Sequence, residues 1–312
     1  MSGIAFVFPG QGAQYAGMAK DFYETFEDSR EIIDKASKIT GIDMPLLMFE
    51  KNDDLNITKY TQPAILVHCL AVLKQIEKKG IVPDVCAGLS LGEYCALAAA
   101  KIMSQEDSIA LIAKRGLLMQ EAVPGGVGMM AAVLGMEPQA VEEICTKTEG
   151  IVSVANYNCP GQIVITGEKQ AVMSASKELT NSGAKRVLPL KVSGPFHSKM
   201  LTNAGEKLYS ELCKVNIMPS EIPYVANATA QYMKVNDEKD GENVRESLKN
   251  QISSSVRWQQ SVENMIESGI DTFVEIGPGK TLSGMIKKIN KEVKIINIDK
   301  VEDLEKIDSL AD

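Results

Sequence analysis

Ser90 stands between Gly88 and Gly92 in "AGLSLGEY", after an apolar run and before "CALAAA". A serine at the joint between a buried strand and a helix has two readings. One is a helix cap, and Ser90-Leu91-Gly92-Glu93 fits the S-x-x-E capping box. The other is a nucleophile raised on a tight strand-to-helix turn, G-x-S-x-G, with backbone N–H groups facing developing negative charge. A cap needs no glycine on either side, and Gly92 in a first helical turn costs stability, so the glycines favour the nucleophile. A serine hydroxyl needs a base, and the chain has two histidines. His68, inside the apolar "PAILVHCLAVL", reads as a packed structural residue. His197, in "VSGPFHSKM", lies at a loop-to-helix joint, a better place for a base.

Other polar features carry competing readings. Arg115 sits in "IALIAKRGLLMQEAV", where an arginine either snorkels, pairs with an acid or presents its fork to a substrate carboxylate. "GQGAQY" has Tyr15 where a third glycine would complete G-x-G-x-x-G, and "VEIGPGKT" has Val274 where a phosphate loop needs glycine, so both nucleotide fingerprints fail. "FPGQGAQ" follows a buried strand and reads equally as a plain turn or as backbone N–H groups lining a site. None of the six cysteines forms C-x-x-C, and only Cys69 adjoins a histidine. No zinc site is expected, and most thiols read as reduced and buried in a cytosolic protein.

These residues need elements to hold them. At 312 residues and 45% apolar, the chain suits about two domains. Its net charge of −8 argues against nucleic acid as the main partner. The start lacks the basic region of a signal peptide, and no apolar stretch is long enough to span a membrane. Strands are expected at 4–8, 82–87, 222–226, 271–276 and 293–299. Helices are expected after the 9–14 loop, then at 28–40, 61–79, 104–123, 197–214, 243–252, 259–268 and 280–289. Between 126 and 194 the rhythm becomes β-α-β-β-α-β, a ferredoxin-like unit. The expected architecture is α/β. A hydrolase-like, mostly parallel sheet domain takes residues 1–125 and 195–312, with the small unit, 126–194, inserted. Residues 231–242 read as a surface loop, and the acidic tail from 301 as peripheral and fraying.

Taken in order, "FPGQGAQ", "GLSLGEY", "RGLLMQEAVPGG", "NYNCPGQIVITG", "GPFHS", "NQISSSVRW" and "VEIGPGKTL" resemble the malonyl-CoA:acyl carrier protein transacylase family. The resemblance implies the same two-part fold, no cofactor, and roles by position. Ser90 would accept the acyl group and His197 would be its base. Gln251 would orient His197 through a side-chain or backbone carbonyl. Backbone N–H groups of Gln11 and Leu91 would form the oxyanion hole, and Arg115 would pair with the malonyl carboxylate. Phe196 would disfavour branched acyl groups, while Gln62, Asn156 and Asn158 would line the site. Leu89 departs from the histidine that many members carry before the serine. The implied partners are malonyl-CoA and an acidic acyl carrier protein, in cytoplasmic fatty acid biosynthesis. Lys185, Arg186, Lys191 and Lys199 form a candidate docking patch. Rival readings are an acyltransferase serving a polyketide synthase, a serine esterase or thioesterase, and a non-catalytic acyl sensor.

Overall fold

Alternation along the first strand sets the architecture. In the computed structural model, which describes residues 3–310, β1 (Gly3–Phe8) sends Phe6 and Phe8 into one core and Ala5 and Val7 into another. A strand buried on both faces belongs at the centre of a covered sheet. After it come α1 (Lys20–Thr25), α2 (Glu27–Thr40), α3 (Met44–Phe49), α4 (Thr58–Lys78), β2 (Val85–Gly88), α5 (Gly92–Ala99) and α6 (Gln105–Glu121). The chain then builds a second sheet from β3 (Gly128–Leu134), α7 (Pro138–Lys147), β4 (Val152–Cys159), β5 (Gln162–Glu168), α8 (Lys169–Asn181) and β6 (Arg186–Pro189). It returns through α9 (Thr202–Leu212), β7 (Tyr224–Val225), β8 (Tyr232–Met233), α10 (Glu238–Gln251), α11 (Trp258–Glu267), β9 (Ile270–Ile276), α12 (Thr281–Ile289) and β10 (Lys294–Ile298).

The large sheet has the order β10-β9-β1-β2-β7-β8, parallel except for β8. Helices α4 and α5 cover one face, and Trp258, Val262, Leu282 and Ile286 of α11 and α12 cover the other. The small sheet has the order β4-β5-β3-β6 and is antiparallel, the ferredoxin-like arrangement. A main-chain seam joins the two units. Val256 donates its N–H to the Ala155 carbonyl at 2.7 Å, and Tyr157 donates to the Val256 carbonyl at 2.9 Å. The fold class expected from the alternation of strands and helices is the one observed.

Several local expectations are corrected. The segment 231–242 is not a plain loop: it holds β8 and the start of α10, whose first turn is capped by the Asp237 side chain accepting from Asp240 N. The tail does not fray over its described length, because Val301–Leu310 forms a 3-10 helix with Leu304 and Ile307 buried; residues 311 and 312 lie outside the described residues. The helix expected from 197 begins at Thr202, preceded by a 3-10 turn at Lys199–Leu201. Helix α4 starts at Thr58, so Pro63 stands inside it and has no N–H to offer the Lys59 carbonyl. The expectation that most thiols are buried holds: five are, and Cys213 is exposed.

Candidate active site

β2 ends at Gly88 and α5 begins at Gly92, so the chain reverses within three residues. Ser90 sits at the tip with φ 55°, a left-handed conformation that a non-glycine residue holds only at a cost. Both flanking glycines are sterically required. A Cβ on Gly88 would lie 2.0 Å from the Gly92 backbone, and one on Gly92 would lie 2.3 Å from the Phe8 carbonyl oxygen. The capping reading of Ser90 is not what the structure contains: the N-cap of α5 is Leu91, with no side-chain cap.

The Ser90 hydroxyl meets two partners instead. His197 Nε2 lies 2.8 Å from Ser90 Oγ, and Arg115 Nη2 donates to the same oxygen at 3.0 Å. His197 stands before its helix, also in the left-handed region at φ 58°. Its Nδ1 lies 2.9 Å from the Gln251 main-chain carbonyl. A carbonyl can only accept, so Nδ1 carries the proton and Nε2 presents its lone pair to the serine. Burial, and then the nearby Arg115 cation, push the His197 pKa down to about 4. The imidazole is therefore neutral at pH 7, as a base must be.

Arg115, on α6, is wholly buried. Its Nη1 donates to Gln62 Oε1 on α4 at 2.6 Å, and its Nη2 also donates to Gln251 Oε1 at 2.9 Å. Its Nε has no hydrogen-bond partner. The guanidinium thus carries its charge among neutral amides and a hydroxyl, beside the serine. A cation left this way is a receptor for a carboxylate.

A cavity of about 180 Å³ opens over this group. Gln11, Gln62, Ser90, Leu91, Arg115 and His197 line it from the large unit. Asn156 and Asn158 of β4 line it from the small unit, with Phe196 at the return. Asn158 Oδ1 is buried without a hydrogen-bond partner. Met119, Met130, Val164, Leu190 and Met285 make much of the remaining wall apolar. Leu89 lines the cavity as a further apolar surface where a histidine would have added a titrating group. Gln251 lies beneath, at the end of α10. His68 is elsewhere, buried in α4 with Nε2 3.1 Å from the Asp299 carbonyl. Lys185, Arg186, Lys191 and Lys199 are exposed, with Arg186 on the edge strand β6. Among the described residues no cluster of metal-ligating side chains occurs, and no helix is long and apolar enough to cross a membrane.

Two residues of the centre escaped the sequence reading. Asn227 accepts from Ser90 N–H through Oδ1 and donates Nδ2 to the Gly88 carbonyl, both at 2.6 Å. Glu93 is buried beneath the turn, its Oε2 accepting from Gln251 Nε2 at 2.8 Å and from Asn227 N at 3.1 Å. A charge in the otherwise apolar "GEYCALAAA" was the signal for Glu93. Asn227 had no local signal, because it is brought in from the end of a two-residue strand.

A family model described as an acyl transferase domain matches residues 5–307. The chain is 43% identical over 309 residues to the malonyl CoA-acyl carrier protein transacylase of Bacillus subtilis strain 168, covering 98% of this chain and 96% of that one. Among solved structures, the malonyl CoA-acyl carrier protein transacylase of Clostridium perfringens superposes with a TM-score of 0.93 at 44% identity, covering 99% of this chain and 96% of that one. A malonyl-transacylase solved in complex with its type II polyketide acyl-carrier protein superposes with a TM-score of 0.93 at 36% identity, covering 98% of each chain.

Proposed function

The chain belongs to the acyl transferase family, and from that membership and the geometry around Ser90 we propose that it moves a malonyl group from coenzyme A to the pantetheine thiol of acyl carrier protein. This is the malonyl-loading step of fatty acid biosynthesis, and the cytoplasm, where coenzyme A thioesters are used, is the expected place of action. One observation carries the choice of acyl group: a wholly buried guanidinium beside the nucleophile, hydrogen-bonded only to neutral groups. An esterase would have no use for a buried cation in its acyl pocket.

The reaction follows from the hydrogen bonds. Nε2 of His197 takes the Ser90 proton as Oγ attacks the thioester carbonyl carbon. The carbonyl oxygen becomes an oxyanion, which the backbone N–H groups of Gln11 and Leu91 are assigned to stabilise. A single such donor is typically worth about 3 kcal/mol. The Gln251 carbonyl keeps Nδ1–H in place, so the imidazolium holds its new proton on the serine side. Collapse breaks the carbon–sulfur bond, and the departing coenzyme A thiolate takes that proton. A malonyl ester on Ser90 remains, its free carboxylate held by Arg115. The pantetheine thiol then gives its proton to His197, attacks the ester and releases Ser90, so donor and acceptor alternate in a ping-pong sequence. Phe196 crowds the acyl pocket against branched groups.

The test is intact mass after incubation with malonyl-CoA and no acceptor. The wild-type protein should gain one malonyl group and Ser90→Ala none. A wild-type protein that stays unmodified would overturn the reading.

A further inference from the structure

Glu93 is a buried acid that the reaction above does not use. It lies wholly buried on α5, under the turn that carries Ser90. Its Oε2 accepts two hydrogen bonds, from Gln251 Nε2 at 2.8 Å and Asn227 N at 3.1 Å. Each donor leads back to Ser90. Gln251 Nε2 also donates to the Ser90 carbonyl at 2.8 Å, and Asn227 Oδ1 accepts from Ser90 N–H at 2.6 Å. One carboxylate thereby fixes both groups that grip the strained main chain of the serine.

The Gln251 amide has a second task. Its Oε1 accepts from Arg115 Nη2 at 2.9 Å while its Nε2 faces Glu93. Above about pH 7, where the Glu93 carboxyl is ionised, cation, amide and anion stand in line. Turning the amide over would set its NH2 against the guanidinium and its oxygen against the carboxylate, so the orientation is determined by charge. A buried cation needs a counter-charge, yet a carboxylate bonded to Arg115 directly would compete with the acyl carboxylate. An anion one amide away offsets the burial and leaves the guanidinium open to substrate.

We propose that Glu93 is a positioning residue that balances Arg115 through the Gln251 amide and thereby sets how tightly the centre holds an acyl carboxylate. This rests on the malonyl reading above. The experiment compares Glu93→Gln, which keeps the shape and both accepted bonds but loses the charge, with Glu93→Asp, which keeps the charge. Steady-state kinetics are measured at pH 8, where Glu93 is ionised, with malonyl-CoA and with acetyl-CoA, and the wild-type malonyl adduct is checked first. In E93Q the less compensated guanidinium should lower KM for malonyl-CoA several-fold and leave KM for acetyl-CoA in place. The kcat should also fall, because the imidazolium forms beside a stronger positive field. E93D should keep the wild-type malonyl-to-acetyl KM ratio. A purely structural role predicts instead that KM for malonyl-CoA rises or stays put in E93Q, and either result overturns the proposal. Gln would set an NH2 group where Glu93 Oε1 is buried without a partner, so the fold of E93Q is checked by thermal melting; should it not fold, a changed malonyl-to-acetyl KM ratio in E93D overturns the proposal. If the wild type takes no malonyl group, the function reading fails rather than this one.

Discussion

His197 can accept a proton only while neutral, and its surroundings keep it so. Burial comes first and the Arg115 cation second; together they depress its pKa to about 4. The acid limb of kcat/KM should therefore fall well below the usual imidazole range near 6.5. In Arg115→Ala, assayed with acetyl-CoA, the like-charge repulsion is gone and the limb should move to higher pH. An unmoved limb would mean that the cation does not act on the base. The same shift affects stability. Between about pH 4 and 6.5 the unfolded chain binds a proton at His197 that the folded chain refuses, so this contribution is complete above 6.5 and is lost on acidification towards 4. Burial raises the Glu93 carboxyl to about 7, against the Gln251, Asn227 and Arg115 contacts that lower it. Its stability contribution runs the other way: present below about 4.5, it is lost as pH rises to about 7. At this scale Ser90 was readable because two glycines mark it, and His197 because it had only one competitor. Gln251 entered only through the family resemblance, which left side-chain and backbone carbonyl open, and Asn227 was hidden, because contacts to main-chain groups across more than fifty positions leave no pattern in residue types.

The strand-turn-helix element imposes the tightest steric limits in the centre. Gly92→Ala would drive a methyl group into the Phe8 carbonyl, which is backbone and cannot swing aside. Urea denaturation should show a loss of at least about 1–3 kcal/mol. Gly125→Ala, in an exposed loop with nothing near its Cβ, should stay within about 0.5 kcal/mol of wild type. Equal losses at the two positions would mean that the turn is not under this constraint. Elements with strong punctuation were legible: the helix expected from 104 opens on Ser104, whose side chain accepts from Asp107 N as the cap of α6. Helix α3 was missed because it has only six residues, too few for a period to show, although Asp43 caps it and a proline stands in its first turn. The tail misled through its charge. Its two anchoring side chains, Leu304 and Ile307, are spaced three apart among acids and lysines.

At the scale of the whole molecule, the proposed function asks a chain of net charge −8 to receive an acidic carrier, which requires a local excess of positive charge. Lys185, Arg186, Lys191 and Lys199 are exposed, the first two at the start of the edge strand β6 and the last two in the return that follows it, where Leu190 already lines the cavity. Reversing the charge of Lys185 and Arg186 together should raise KM for carrier protein and leave KM for malonyl-CoA in place. An unchanged carrier KM removes the patch. The two-part organisation was legible because strand rhythm changes abruptly after residue 126, whereas the contact between the parts was not. The main-chain part of that contact joins amide and carbonyl groups of Ala155, Tyr157 and Val256, which every amino acid other than proline supplies alike; side chains add to it where Ser255 Oγ donates to the Val154 carbonyl at 2.6 Å and the Arg257 guanidinium stands over the Tyr157 ring. The main-chain pairing depends on register, so an added or deleted residue on either side would break it. A slip of one position would swing Asn156 and Asn158 out of the reaction chamber together. Grafting a foreign small unit onto this scaffold is accordingly a problem of counting residues before it is one of matching surfaces.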